Sequence, residues 1–107
     1  MKNNIKKPEN IDFYKECESR IKKIFLNKLP DYVHVYLFGS RTKQIFSYNS
    51  DIDLFITGAG DKEKEIINDI SEEISDSDIP FKIDIVYEDN TNLDFKKKVL
   101  KGAIKWK

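Results

Sequence analysis

The 107 residues predict a small α/β (α+β) domain, a mixed sheet of about three or four strands with helices packed against it. Three observations carry this. Three segments show apolar residues at three- and four-residue spacings, the mark of a helix with one buried face. Three short segments rich in β-branched and aromatic residues read as strands. Helical and strand patterns also take turns along the chain, so the helices are expected on the sheet rather than in a bundle.

Residues 1–9 are polar and aperiodic and include Pro8, and they are expected to form a flexible tail. Residues 10–107 are expected to form one domain, since the length fits one core. A helix is expected from Asn10 or Asp12, with Tyr14, Cys17, Ile21, Ile24 and Phe25 on one face. Pro30 ends it by Leu29. Residues 33–38 form the first strand, and Gly39-Ser40 stops it. A short helix can start at Ser40, whose hydroxyl suits an N-cap. Residues 48–50 read as a turn and 51–57 as the second strand. Asp61 is the expected N-cap of the next helix, with Ile66, Ile67, Ile70 and Ile74 as its apolar stripe. Residues 75–80 are a break and 81–87 the third strand. A helix from Leu93 to about Ile104 closes the chain, with Val99, Leu100, Ala103 and Ile104 facing inward.

Composition narrows the function. There are 19 Lys+Arg against 19 Asp+Glu, a balance that disfavours a protein gripping nucleic acid through its phosphates. The charges are segregated: residues 51–94 hold fourteen acids and three lysines, and 95–107 hold six lysines and no acid. Such runs are ordinarily solvated helix faces. Cys17 is the only cysteine, so no disulfide forms within the chain. No apolar run nears the roughly 20 residues of a membrane span, and no signal-peptide core stands at the N-terminus. A cytoplasmic protein with no membrane partner is expected.

The candidate site starts at Asp51-Ile52-Asp53. Alternate side chains of a strand share a face, which puts Asp51 and Asp53 together, roughly 7 Å apart, opposite Ile52, Leu54 and Ile56. Two such carboxylates repel each other, and a divalent cation removes the objection. Asp84 is the lone acid of the third strand and joins them if that strand lies beside the second. Three acids around one or two metal ions suit two-metal phosphoryl transfer. Gly39 lets a phosphate approach the backbone, a helix starting at Ser40 would aim its free N–H groups at it, and Arg41 adds charge. Each piece alone has a plainer explanation. Gly-Ser-Arg is a common strand-to-helix turn, Asp-x-Asp occurs in turns, and Asp84 suits a half-exposed strand. The spacing and order are what single them out.

Gly39-Ser40, ten residues, then Asp51-Ile52-Asp53 resembles the signature of the polymerase β-like nucleotidyltransferases in their smallest form, the minimal nucleotidyltransferase (MNT) domain. The resemblance runs through LFGSRTKQIFSYNSDIDLFI, places Asp84 of KIDIVY at the third carboxylate, and extends to FKKKVLKGAIKW. It implies that fold for about residues 12–107. It also implies that Asp51, Asp53 and Asp84 are catalytic and ligate two Mg²⁺ ions. Gly39 and Ser40, with Arg41 assisting, would hold the β- and γ-phosphates of ATP. The resemblance to the MNT partner of HEPN–MNT pairs implies an antitoxin that attaches AMP to a tyrosine of a HEPN RNase toxin and associates with it. The zero net charge and the absence of a second domain fit a protein acceptor. The alternatives are an antitoxin or interaction module that acts by binding alone, and transfer to a small molecule or an RNA end. His34, Cys17 and Trp106 are expected to be structural. Tyr48 could touch the nucleotide.

Overall fold

A computed structural model describes residues 6–42 and 51–107 of the chain, with side-chain detail from Asp12 onward except at Ser40. The elements run α1 (Lys6–Lys28), β1 (His34–Phe38), a 3-10 turn (Gly39–Thr42), β2 (Ile52–Thr57), α2 (Asp61–Ser75), β3 (Ile83–Tyr87), a 3-10 turn (Glu88–Asn90), α3 (Leu93–Gly102) and β4 (Ile104–Lys105). The strands form one mixed sheet in the order β3-β2-β1-β4. β1 pairs antiparallel with both β2 and β4, and β2 pairs parallel with β3. The parallel pair needs a crossover, and α2 supplies it.

The core lies between one face of this sheet and helices α1 and α2. Val35 and Leu37 of β1 and Ile52, Leu54 and Ile56 of β2 point into it. Cys17, Ile21, Phe25 and Leu29 meet them from α1, and Ile67, Ile70 and Ile74 from α2. The alternation expected of the strands and the stripes expected of the helices are therefore the ones used. Burial of these side chains, worth roughly 1.5–3 kcal/mol for each large one, holds the helices to the sheet. α3 packs on the opposite face. There Phe38, Phe55 and Phe95 form a trio with ring centroids 6.3–6.5 Å apart, two of the pairs edge-to-face. Phe55 is fully buried by this cover.

Several boundaries differ from expectation. α1 already starts at Lys6, within the segment expected to be a tail. Pro8 falls in its first turn, where a missing N–H removes no helical hydrogen bond. The N-cap of α2 is Gly60 rather than Asp61: Glu63 Oε1 accepts from the Gly60 N–H at 2.8 Å, one half of a capping box. α3 ends at Gly102, and the chain turns into a fourth strand whose Ile104 and Lys105 face Leu37 and Tyr36. Val99 is buried as expected, but Ile104 is exposed because it sits on this edge strand instead of a helix face. The strand is held beyond its two residues by Trp106, buried in the core with its N–H donating to the Val35 carbonyl at 2.8 Å. His34 is also structural, its Nδ1 lying 3.2 Å from the Lys107 carbonyl. The expected turn at 48–50, with Tyr48, lies outside the described residues.

Candidate active site

The strand register assembles the site. Phe38, the last residue of β1, is opposite Asp53, and Asp53 is beside Asp84 on β3. Neighbouring strands lie roughly 4.8 Å apart, so the Asp53 and Asp84 side chains rise side by side from the same face. Asp51 stands one residue before β2 and is exposed. Asp84 is exposed as well, while Asp53 is half-buried between them.

This grouping has an electrostatic signature. The Asp53 carboxyl is pushed above its ordinary value, first by burial, then by the nearby charges of Asp84 and Asp51. The Arg41 guanidinium opposes the shift. A group so placed is poorly served as an anion until a cation arrives. Among the described residues no three acidic, histidine or cysteine side chains are already closed to metal-ligand spacing. The three carboxyls would therefore have to turn toward an ion. Their oxygen-only chemistry and unmet charge fit Mg²⁺, which prefers carboxylate oxygens and retained water.

Gly39 follows Phe38 and so lies against Asp53. Its φ is +82°, a conformation L side chains rarely adopt. A Cβ there would collide with Asp53 Oδ2. Only glycine lets the turn and the acid touch, which keeps the backbone of residues 39–42 next to the carboxylates. The 3-10 turn stands where a helix start at Ser40 is expected, and the residues after Thr42 up to Ser50 lie outside the described set. The Thr42 hydroxyl donates to the Gly39 carbonyl at 2.7 Å and fixes the turn.

Arg41 has a different setting from the one its neighbourhood to Ser40 suggests. Its side chain is buried beneath the turn, with Nη1 donating to Glu18 Oε1 of α1 at 3.0 Å. Its guanidinium lies 4.5 Å above the centre of the Phe81 ring. It therefore staples the turn to α1 and to the approach of β3, and its charge reaches Asp53 from behind. A sequence signal existed for this contact. Glu18 adjoins Cys17 and precedes Ile21 on the apolar side of α1, an unusual place for an acid without a partner.

Two clefts flank the acids. One, of about 380 Å³, lies between Phe38, Gly39 and Thr42 on one side and Phe95, Lys98 and Val99 of α3 on the other. The other, of about 350 Å³, runs from the end of α2 along Pro80, Phe81 and Lys82 to Asp84. The second cleft is lined by Asp84, while the first reaches the acids through Gly39, which adjoins Asp53. The aromatic wall of the first cleft escaped the sequence reading because Phe38, Phe55 and Phe95 belong to three separate elements.

Comparison with known proteins places the chain in a family. The profile of the family described as polymerase beta, nucleotidyltransferase, matches residues 19–105. A Haemophilus influenzae protein named as a probable protein adenylyltransferase, MntA, is 31% identical over 91 residues, which cover 85% of this chain and 79% of that one. A toxin–antitoxin structure with AMP-PNP superposes with a TM-score of 0.62 at 21% identity, covering 84% of this chain and 72% of its own. A tri-AMPylated Shewanella oneidensis HEPN toxin in complex with an MNT antitoxin gives 0.59 at 18%, covering 88% and 71%. With the family profile covering most of its length and the fold shared with these structures, the chain belongs to the polymerase beta nucleotidyltransferase family.

Proposed function

We propose that this protein transfers AMP from ATP to a hydroxyl, a tyrosine, of a partner protein, with Mg²⁺ as cofactor, and that it serves as the antitoxin of a HEPN-type toxin. The observation that carries the transferase reading is the pairing of Asp53 with Asp84 beside Gly39. The acceptor is argued from the named relative, a protein adenylyltransferase, and from the toxin–antitoxin complexes of similar fold.

Asp51, Asp53 and Asp84 would hold the metal. When bound, Mg²⁺ supplies charge neutralisation at the transferred phosphoryl group and lowers the pKa of an attached hydroxyl. The backbone of the Gly39 turn, with Ser40, receives the β- and γ-phosphates and so aims the α-phosphate at the acids. Asp84, exposed at the sheet edge, faces the side from which an acceptor hydroxyl enters and takes part in removing its proton. The acceptor oxygen bonds to the α-phosphorus, the bond from that phosphorus to the bridging oxygen breaks, and pyrophosphate leaves. Arg41 holds the turn in register with Asp53 through Glu18 and Phe81, which assists the phosphates through the turn rather than by contact.

Co-expression with a candidate toxin tests this. Mass spectrometry of the toxin should show added AMP on a tyrosine, present with wild type and absent with Asp84→Asn. An unmodified toxin that is still neutralised would replace this reading with antitoxin action by complex formation.

A further inference from the structure

The cleft between the Gly39–Thr42 turn and α3 holds one charged side chain, Lys98. Lys82, exposed and without an ion pair to a described residue, lines the other cleft beside Asp84 and away from the turn; the cations nearer the turn are differently engaged. Arg41 is committed to Glu18. Lys96, two residues before Lys98 on α3, is bound to Glu88 at 2.8 Å. Lys98 is exposed and makes no ion pair with a described residue. It faces Gly39 and Thr42 across the cleft, the two ends of the turn that adjoins Asp53.

Electrostatics gives this placement a use. Three carboxylates stand at the Gly39 end of the turn, Asp53 against Gly39 and beside Asp84 on the neighbouring strand, with Asp51 one residue before β2. A polyanion seated on the turn needs its far end directed away from them and toward positive charge. The cleft provides that direction, and Lys98 is the cation it offers. An ammonium on a flexible four-carbon stem suits a phosphate as a point charge.

We infer that Lys98 is the phosphate-binding cation of the site, contacting the terminal phosphates of the bound nucleoside triphosphate from the α3 side. The assignment rests on the nucleotidyl-transfer reading. It divides labour between the two cations: Arg41 shapes the turn from beneath, and Lys98 meets the phosphates across the open cleft.

Titration calorimetry with a non-hydrolysable α,β-methylene ATP, and separately with AMP, in Mg²⁺ buffer tests it. Lys98→Ala should weaken binding of the ATP analogue about tenfold, the loss of one charge-assisted contact, and leave AMP binding within twofold. Lys98→Arg should restore most of the affinity. Lys97→Ala, on the same helix and outside the cleft, should bind as wild type. Circular dichroism melting checks that each variant is folded. Unchanged affinity in Lys98→Ala overturns the assignment while leaving nucleotidyl transfer standing, provided wild type binds the analogue and Asp53→Asn does not. Equal loss for the analogue and for AMP also overturns it, because Lys98 would then serve the nucleoside end. Failure of wild type to bind either ligand sinks the transfer reading and this assignment with it.

Discussion

Replacing Asp53 by Asn should stabilise the metal-free protein while ending its chemistry. Asp53 is held above its ordinary value by burial and by Asp84 and Asp51. Its ionisation in the fold therefore costs free energy that the unfolded chain does not bear. For two carboxylates roughly 6 Å apart at an effective dielectric constant of about 40–60, the repulsion is on the order of 1 kcal/mol. Partial exposure of the group argues for no more than that. In a domain of this size, about 1 kcal/mol moves the melting midpoint by roughly 4–8 °C. The sign follows from proton linkage. An acid whose folded pKa is raised binds its proton more tightly in the native state, so wild-type stability falls as pH rises from the ordinary value of 3.8 through the raised one. The advantage of Asp53→Asn should be complete at pH 8 and shrink as pH falls through the raised value toward 3.8. Melting by circular dichroism in EDTA at several pH values reads this directly. Adding Mg²⁺ and ATP should reverse the order, since ligand at about ten times its Kd adds about 1.4 kcal/mol to wild type and little to the variant. A variant that melts below wild type in EDTA at pH 8, or one whose gain is the same at pH 4, would refute the electrostatic account of the site.

Gly39→Ala should cut transfer by at least tenfold and destabilise the fold by about 1–2 kcal/mol, through its φ of +82° and the clash with Asp53 Oδ2; urea unfolding and activity measure the two effects. Arg41→Ala should cost about 2 kcal/mol by removing a buried partner from Glu18 and Phe81, with Glu18→Gln costing less because Glu18 remains partly exposed. Trp106→Ala should cost about 3 kcal/mol by emptying a core position and loosening β4 from β1; amide exchange at Trp106 should quicken first. Glu63 is held below its ordinary value by the Tyr32 hydroxyl and the Gly60 N–H. Its contribution is present at neutral pH and is lost as pH falls through the folded value. Tyr32→Phe should therefore flatten the acid side of the stability profile.

The order of α1, β1, β2, α2, β3 and α3, and the buried faces of α1, α2 and the first three strands, were legible because each of these elements carries its own period. Ile52, Leu54 and Ile56 announce their face without help from the rest of the chain. Features that depend on a partner were not legible. β4 is two residues long, and Ile104 continues the three- and four-residue spacing of Val99, Leu100 and Ala103, so the pattern alone favours more helix. The free edge of β1 and the burial of Trp106 decide otherwise. The start of α1 was hidden because Pro8 usually marks irregular chain, yet it is harmless in a first turn.

At the candidate site, alternation foresaw that Asp53 and Asp84 share a face, conditional on adjacent strands, and the parallel register supplies the condition. The closeness of Gly39 to Asp53 follows from the antiparallel pairing of Phe38 with Asp53, which no local pattern encodes. Arg41 and Lys98 show the limit most plainly. Both are cations near the turn in sequence or in space, and the contacts of Arg41 with Glu18 and Phe81 separate the buried staple from the exposed charge.

The most direct test of nucleotidyl transfer follows label from ATP into a co-expressed partner. Label on the α-phosphate should be incorporated in the presence of Mg²⁺, and label on the γ-phosphate should appear only in released pyrophosphate, with both signals lost in Asp53→Asn. Incorporation of γ-label into the partner, or undiminished incorporation of α-label by Asp53→Asn, would contradict the account.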